Sequence, residues 1–146
     1  MIFVIMAIDQ KHLSQEYTPL FLSVQQKNVE MWFSNEAKQW LVVLEKIKQE
    51  NIILKNRLAD AIKQDVSKDF IEYAEYFQQR FIEKDQIVDL LRHDINMMLS
   101  AGSHLHKSSD KSQLKKFASQ MTDDIEKSRL EFEQLKISFN TYLSKP

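Results

Sequence analysis

Few side chains in this 146-residue chain could do chemistry, and most of them stand alone. The absence of cysteine removes thiol nucleophiles, disulfides and thiolate metal sites. Of four histidines, His12 precedes Glu16 in an unpatterned stretch, and His104 and His106 flank Leu105 in the loop-like segment SAGSHLHKSSDKS. Together with Asp110, that histidine pair could hold a stray divalent ion, for which imidazole and carboxylate are ordinary donors. Solvated loop residues are the expectation. A di-iron site held between helices would need inward Glu-x-x-His pairs, and none occurs. Asp85, Asp89 and His93 follow one another at intervals of four and share one helix face. That spacing could tune a histidine near neutral pH. It is equally the spacing of i,i+4 pairs on a solvated face, each contributing roughly 0.2–0.5 kcal/mol. With no nucleophile or phosphate-binding loop nearby, the solvated face is expected. Lys107, Lys111, Lys115 and Lys116 could touch an acidic partner or a phosphate backbone. The cluster lacks arginine and interleaved aromatics, and Asp123, Asp124 and Glu126 follow it, so a solvated bundle end is expected. No catalytic, cofactor-binding or metal-binding residue is assigned.

The strongest pattern is structural. Phe33, Ala37, Trp40, Leu44, Ile47, Leu54, Leu58 and Ala61 recur at alternating gaps of four and three, with Asn51 on the same seam. Such alternation sets one side chain per turn along a narrow stripe, as two packed helices require. With Ala37 at a and Trp40 at d, Asn51 falls at a, Glu50 at g and Lys55 at the following e. An asparagine at a single a position can pair with its mate in a second chain and fix register and strand number. Alternatively, the seam packs inside one chain and Asn51 contacts a neighbouring helix. The self-association expected here uses Trp40, Leu44, Ile47, Leu54 and Leu58 for apolar contact, with Glu50, Asn51 and Lys55 setting register.

The string ENIILKNRL, residues 50–58, resembles the zipper of basic-leucine-zipper transcription factors. The resemblance covers a small part of the chain and implies coiled-coil packing. DNA reading would need a basic helix just upstream. Asn35, Glu36, Ala37 and Lys38 stand there instead, with Glu45 further on.

These residues need long helices to position them. A single glycine and two prolines leave little material for turns. The spacing predicts an all-α, antiparallel bundle of three long helices plus a shorter N-terminal helix, with coiled-coil-like packing. Expected helices cover 19–33, 35–64, 70–100 and 111–143, in one domain (19–146) after an N-terminal segment (1–18). Thr18-Pro19 suits the first start, and Ser34 or Asn35 could cap the second helix. Asp69 with Glu72 and Asp110 with Gln113 are the expected capping pairs for the last two. Gly102 fits a left-handed residue beyond the third helix. The third helix carries Phe70, Ala74, Phe77, Phe81, Val88, Leu91, Ile95 and Met98, widened by Ile71, Ile82, Ile87 and Leu90. A stripe that wide is expected to meet more than one neighbour. The fourth presents Leu114, Phe117, Met121, Ile125, Phe132, Leu135, Phe139 and Tyr142, and Trp32 and Trp40 are expected in the core.

The opening MIFVIMAI is apolar for eight residues, far short of the roughly 20 of a membrane span. Packing against the bundle or a partner is expected for it. A formal net charge of −1 gives no general attraction to nucleic acid or an anionic membrane. A reducing cytoplasm suits a chain without cysteine. The expectation is a non-enzymatic structural or interaction module, self-associating as a homodimer or binding a partner helix, without cofactor or nucleic acid. Its rivals are a bundle holding a metal or small ligand through loop histidines and carboxylates, and a nucleic-acid-associated protein using the lysine cluster.

Overall fold

A computed structural model describes residues 18–101 and 108–144, with side chains for 28–101 and 110–144. Three helices span the described residues: α1 (Thr18–Gln64), α2 (Lys68–Ala101) and α3 (Ser108–Ser144). No strand occurs among the described residues. None of these helices is long and apolar enough to cross a membrane.

The expected short N-terminal helix is not a separate element, because α1 is continuous for 47 residues. Ser34 and Asn35 can cap a helix but are not needed to. No glycine or proline follows Pro19 before Gln64, and Phe33 and Ala37 keep the buried beat through the expected break. At 1.5 Å per residue α1 is about 70 Å long, against about 51 Å for the 34 residues of α2 and about 56 Å for the 37 of α3. His12, Gly102, His104, His106, Lys107 and the apolar start at 1–8 lie outside the described residues.

Residues 65–67 link α1 to α2. Asp65 N–H still donates to Ala61 O at 3.1 Å, which closes α1, and Ser67 N–H turns onto Asp65 Oδ1 at 2.9 Å. Ser67 then caps α2: its Oγ accepts from Phe70 N–H at 3.4 Å, and its carbonyl from Ile71 N–H at 3.0 Å. The expected capping box at Asp69 and Glu72 is therefore displaced to Ser67. Asp69 falls in the first turn, where exposed N–H groups favour a negative charge. α3 likewise starts before its expected cap, with Asp110 in its first turn.

All three helices pack against one another, and their buried stripes form one core. α1 contributes Phe33, Ala37, Trp40, Leu44, Ile47, Leu54 and Leu58; Ala61, at the end of the seam, is half-buried. α2 buries Ala74, Phe77, Phe81, Val88, Leu91 and Ile95. The seam of α3 is Leu114, Ala118, Met121, Ile125, Ser128, Phe132 and Phe139, with half-buried Leu135 between the last two completing the alternating gaps of four and three. Fully burying a Leu, Ile or Phe contributes roughly 1.5–3 kcal/mol, so these stripes dominate what holds the bundle together.

Several faces differ from expectation. Ala118 takes the core position expected of Phe117, which is half-buried and lies against Phe33 and Trp40 at ring separations of 6.0 and 6.4 Å. Ile82, Ile87 and Leu90 are exposed, whereas Ile71 is half-buried, so most of the expected apolar widening of the α2 stripe lies outside the core. Trp32 is exposed too, beside Met31.

Cross-helix pairs fall in a consistent order. Lys48 meets Asp89, Asn51 meets Asp85 and Phe81, so partners on α2 descend as α1 ascends. Trp40 Nε1 donates to Thr122 Oγ1 at 3.1 Å and Arg57 Nη1 to Asn140 Oδ1 at 2.8 Å, so partners on α3 ascend with α1.

Candidate functional site

Two regions bear on function: the polar waist where the seam residues sit, and a cleft at one end of the bundle. At the waist, Asn51 is buried within its own chain. Its Nδ2 donates to Phe81 O at 2.9 Å and to Asp85 Oδ1 at 2.7 Å, while its Oδ1 finds no donor among the described residues. Lys55 pairs with the other Asp85 oxygen, and Glu50 accepts from Lys136 Nζ at 3.3 Å. Asn51, Glu50 and Lys55 thus find their partners on α2 and α3 of the same chain. Trp40, Leu44, Ile47, Leu54 and Leu58 are buried there as well.

Asp85 and Asp89 do not form the solvated ladder expected with His93; they face α1. Lys48 Nζ lies 2.9 Å from Asp89 Oδ1, and this hydrogen bond holds the Asp89 carboxyl below the usual carboxylate range. His93 points to solvent, with Nδ1 at 3.6 Å from Asp94. Between α2 and α3, Lys84 occupies the gap in the α2 stripe and reaches Glu131 at 2.7 Å, lowering the pKa of that carboxyl through the hydrogen bond. Lys136 is pushed down by burial, but its bonds to Glu50 and Glu133 outweigh that and raise it overall. Lys111 departs from the expected solvated cluster: it is buried at the head of the α3 seam, whereas Lys115 and Lys116 are exposed. Among the described residues, no group of three or more histidine, aspartate or glutamate side chains is placed to hold a metal.

The cleft lies where the start of α2 meets the end of α3. It encloses about 500 Å³, lined by Phe70, Tyr73, Phe77, Ile137, Thr141 and Tyr142, with Asp65 and Asp69 on its edge. An adjoining groove along α2 adds Glu72 and Tyr76. Helical spacing explains the aromatics: 70, 73 and 77 turn one face of α2 towards α3, and 76 sits beside them. Tyr142 anchors the wall. Its hydroxyl donates to Phe70 O at 2.7 Å, and its ring stacks on Phe70 at 5.0 Å and lies 5.8 Å from Tyr73. Burial, then the nearby Asp65 charge, raises the Tyr142 phenol pKa. Tyr73 and Tyr76 are 61% and 55% exposed, large values for aromatic rings beside a core. No lysine, arginine or histidine lines either hollow. Aromatic faces edged by carboxylates are suited to binding.

No family model, curated protein or solved structure matches this chain. Phe70 and Phe77 belong to the stripe expected of the core, whereas Tyr73 and Tyr76 beside them carried no expectation. The available signal was the run of aromatics at 70, 73, 76 and 77 interleaved with Asp69 and Glu72.

Proposed function

We propose that the protein is a non-enzymatic interaction module: a helical bundle with antiparallel, coiled-coil-like packing that offers its end cleft to a partner. The order of cross-helix pairs supports that packing. The observation that carries the function is the open aromatic cleft, where Tyr73 and Tyr76 remain exposed beside Phe70, Phe77 and Ile137. Concave sites with apolar and aromatic walls are where proteins bind ligands, and tyrosine is enriched where proteins bind one another. Chemical denaturation of the double substitution Tyr73→Ser, Tyr76→Ser tests this. Aromatics kept for a partner should be dispensable to the fold, so a change below about 1 kcal/mol is expected. A loss above about 3 kcal/mol would make both rings structural and defeat the proposal.

A second reading, self-association as a homodimer, has its own support. α1 is ten residues longer than α3 and thirteen longer than α2, and it carries exposed Met31 and Trp32 just before its buried seam begins at Phe33. A dimer through the 33–61 seam would need α1 to exchange between copies, since each copy fills that seam itself. Light scattering over a dilution series should give twice the chain mass at high concentration and a lower mass for Met31→Ser, Trp32→Ser. A single-chain mass at every concentration would exclude self-association.

A further inference from the structure

We propose that the end cleft takes a short basic segment of a partner protein, seating an arginine side chain against Tyr73 beside Asp69 and Glu72. This rests on the interaction-module function and names the chemistry of its partner. Three observations converge. The rings offer electron-rich faces, to which a guanidinium is attracted when it lies over them within about 6 Å. Asp69 and Glu72 line the groove that holds both tyrosines, and no lysine or arginine lines it. The chain itself shows the contact: Arg80 already holds its guanidinium 5.3 Å from the centre of the Tyr76 ring, so the more exposed Tyr73 is the ring left open to a partner. Arginine suits this place better than lysine, because its flat head can stack on a ring while its N–H groups fork towards a carboxylate.

The apolar floor sets the flanking chemistry. Phe77 and Ile137 would meet leucine-like neighbours of the arginine, so the segment should be basic and apolar by turns. Other cationic segments of similar pattern would share the site. A uniformly polar basic tail would leave the floor uncovered.

The test is a titration of the whole chain with the acetylated, amidated peptide Ser-Leu-Arg-Arg-Leu-Ser, followed by backbone amide shifts. The control peptide carries glutamine in place of both arginines. The expected result is saturable shifts around Tyr73, Tyr76 and Ile137, with affinity at least fivefold weaker for the control. Asp69→Asn with Glu72→Gln should weaken the arginine peptide by a similar factor, with some loss of melting temperature from the first-turn charge at Asp69. Glu72→Gln alone, outside the first turn of α2, should weaken the peptide at an unchanged melting temperature. Equal affinity for both peptides would overturn the assignment to a cation while leaving the binding module standing. Shifts elsewhere, or none, would overturn the inference; the tyrosine denaturation experiment decides the module separately. A wild-type dimer that the arginine peptide splits would hand the cleft to a second copy and overturn the assignment to a partner protein.

Discussion

Asn51 is a buried amide with one half satisfied and the other not. Leaving a buried acceptor unpaired costs roughly 1–3 kcal/mol. Replacing Asn51 by leucine removes the orphan Oδ1 together with the donor to Phe81 and Asp85. Asp85 keeps Lys55 as a partner and remains part-exposed, so it is not stranded. Asn51→Leu is therefore expected to leave stability unchanged or raise it by up to about 2 kcal/mol, read from the urea midpoint. A loss above about 2 kcal/mol would mean that the amide's two hydrogen bonds outweigh its unpaired oxygen. What leucine cannot supply is direction. Nδ2 fixes where α1 stands against Phe81, so broader amide resonances should accompany any gain in stability.

At the scale of elements, the Ser67 cap and the seams are the testable features. Ser67 Oγ meets Phe70 N–H at the long end of hydrogen-bond range, so Ser67→Ala should cost about 0.5–1 kcal/mol in chemical denaturation. The α1 seam was legible because its members are large and apolar. The α3 seam was only partly so: Ala118 and Ser128 occupy core positions but are too small or too polar to register in an apolar count. Lys84 likewise left a gap in the α2 stripe that only its pairing with Glu131 explains. The expected break after Phe33 failed because a residue able to cap does so only when something else ends the helix before it. The cleft was illegible for a different reason. A tyrosine one or two positions off a stripe is core or surface depending on where the neighbouring helix stops, and local spacing does not carry that information.

Across the whole molecule, the waist joins every pair of helices with ion pairs: Lys48–Asp89 for α1 and α2, Lys84–Glu131 for α2 and α3, and Glu50–Lys136 for α1 and α3. Asp89 and Glu131 have carboxyl pKa values lowered in the folded state by their lysines. Lowered carboxyls contribute stability that is fully present above their unfolded values, about 3.9–4.3. It is lost as pH falls through the folded values below that. Both carboxylates are well exposed, so solvent screening keeps the effect small. The urea midpoint is expected to be level from neutral pH to about 5 and to decline below about 4. Lys48→Met with Lys84→Met should make that decline shallower; an unaltered decline would show that other carboxylates govern it.

The three-residue link at 65–67 also bears on the order in which the bundle assembles. Closing so short a link restricts little chain entropy, whereas bringing α3 onto α1 joins residues more than eighty positions apart, such as Trp40 and Thr122. The α1–α2 pair can therefore form as a local event, with its link already held by Asp65 and Ser67. The arrival of α3 is the later, nonlocal step, and it brings Phe139 and Tyr142 against Phe77. On this account the cleft is the last part of the molecule to acquire its shape, since its far wall does not exist until α3 has docked.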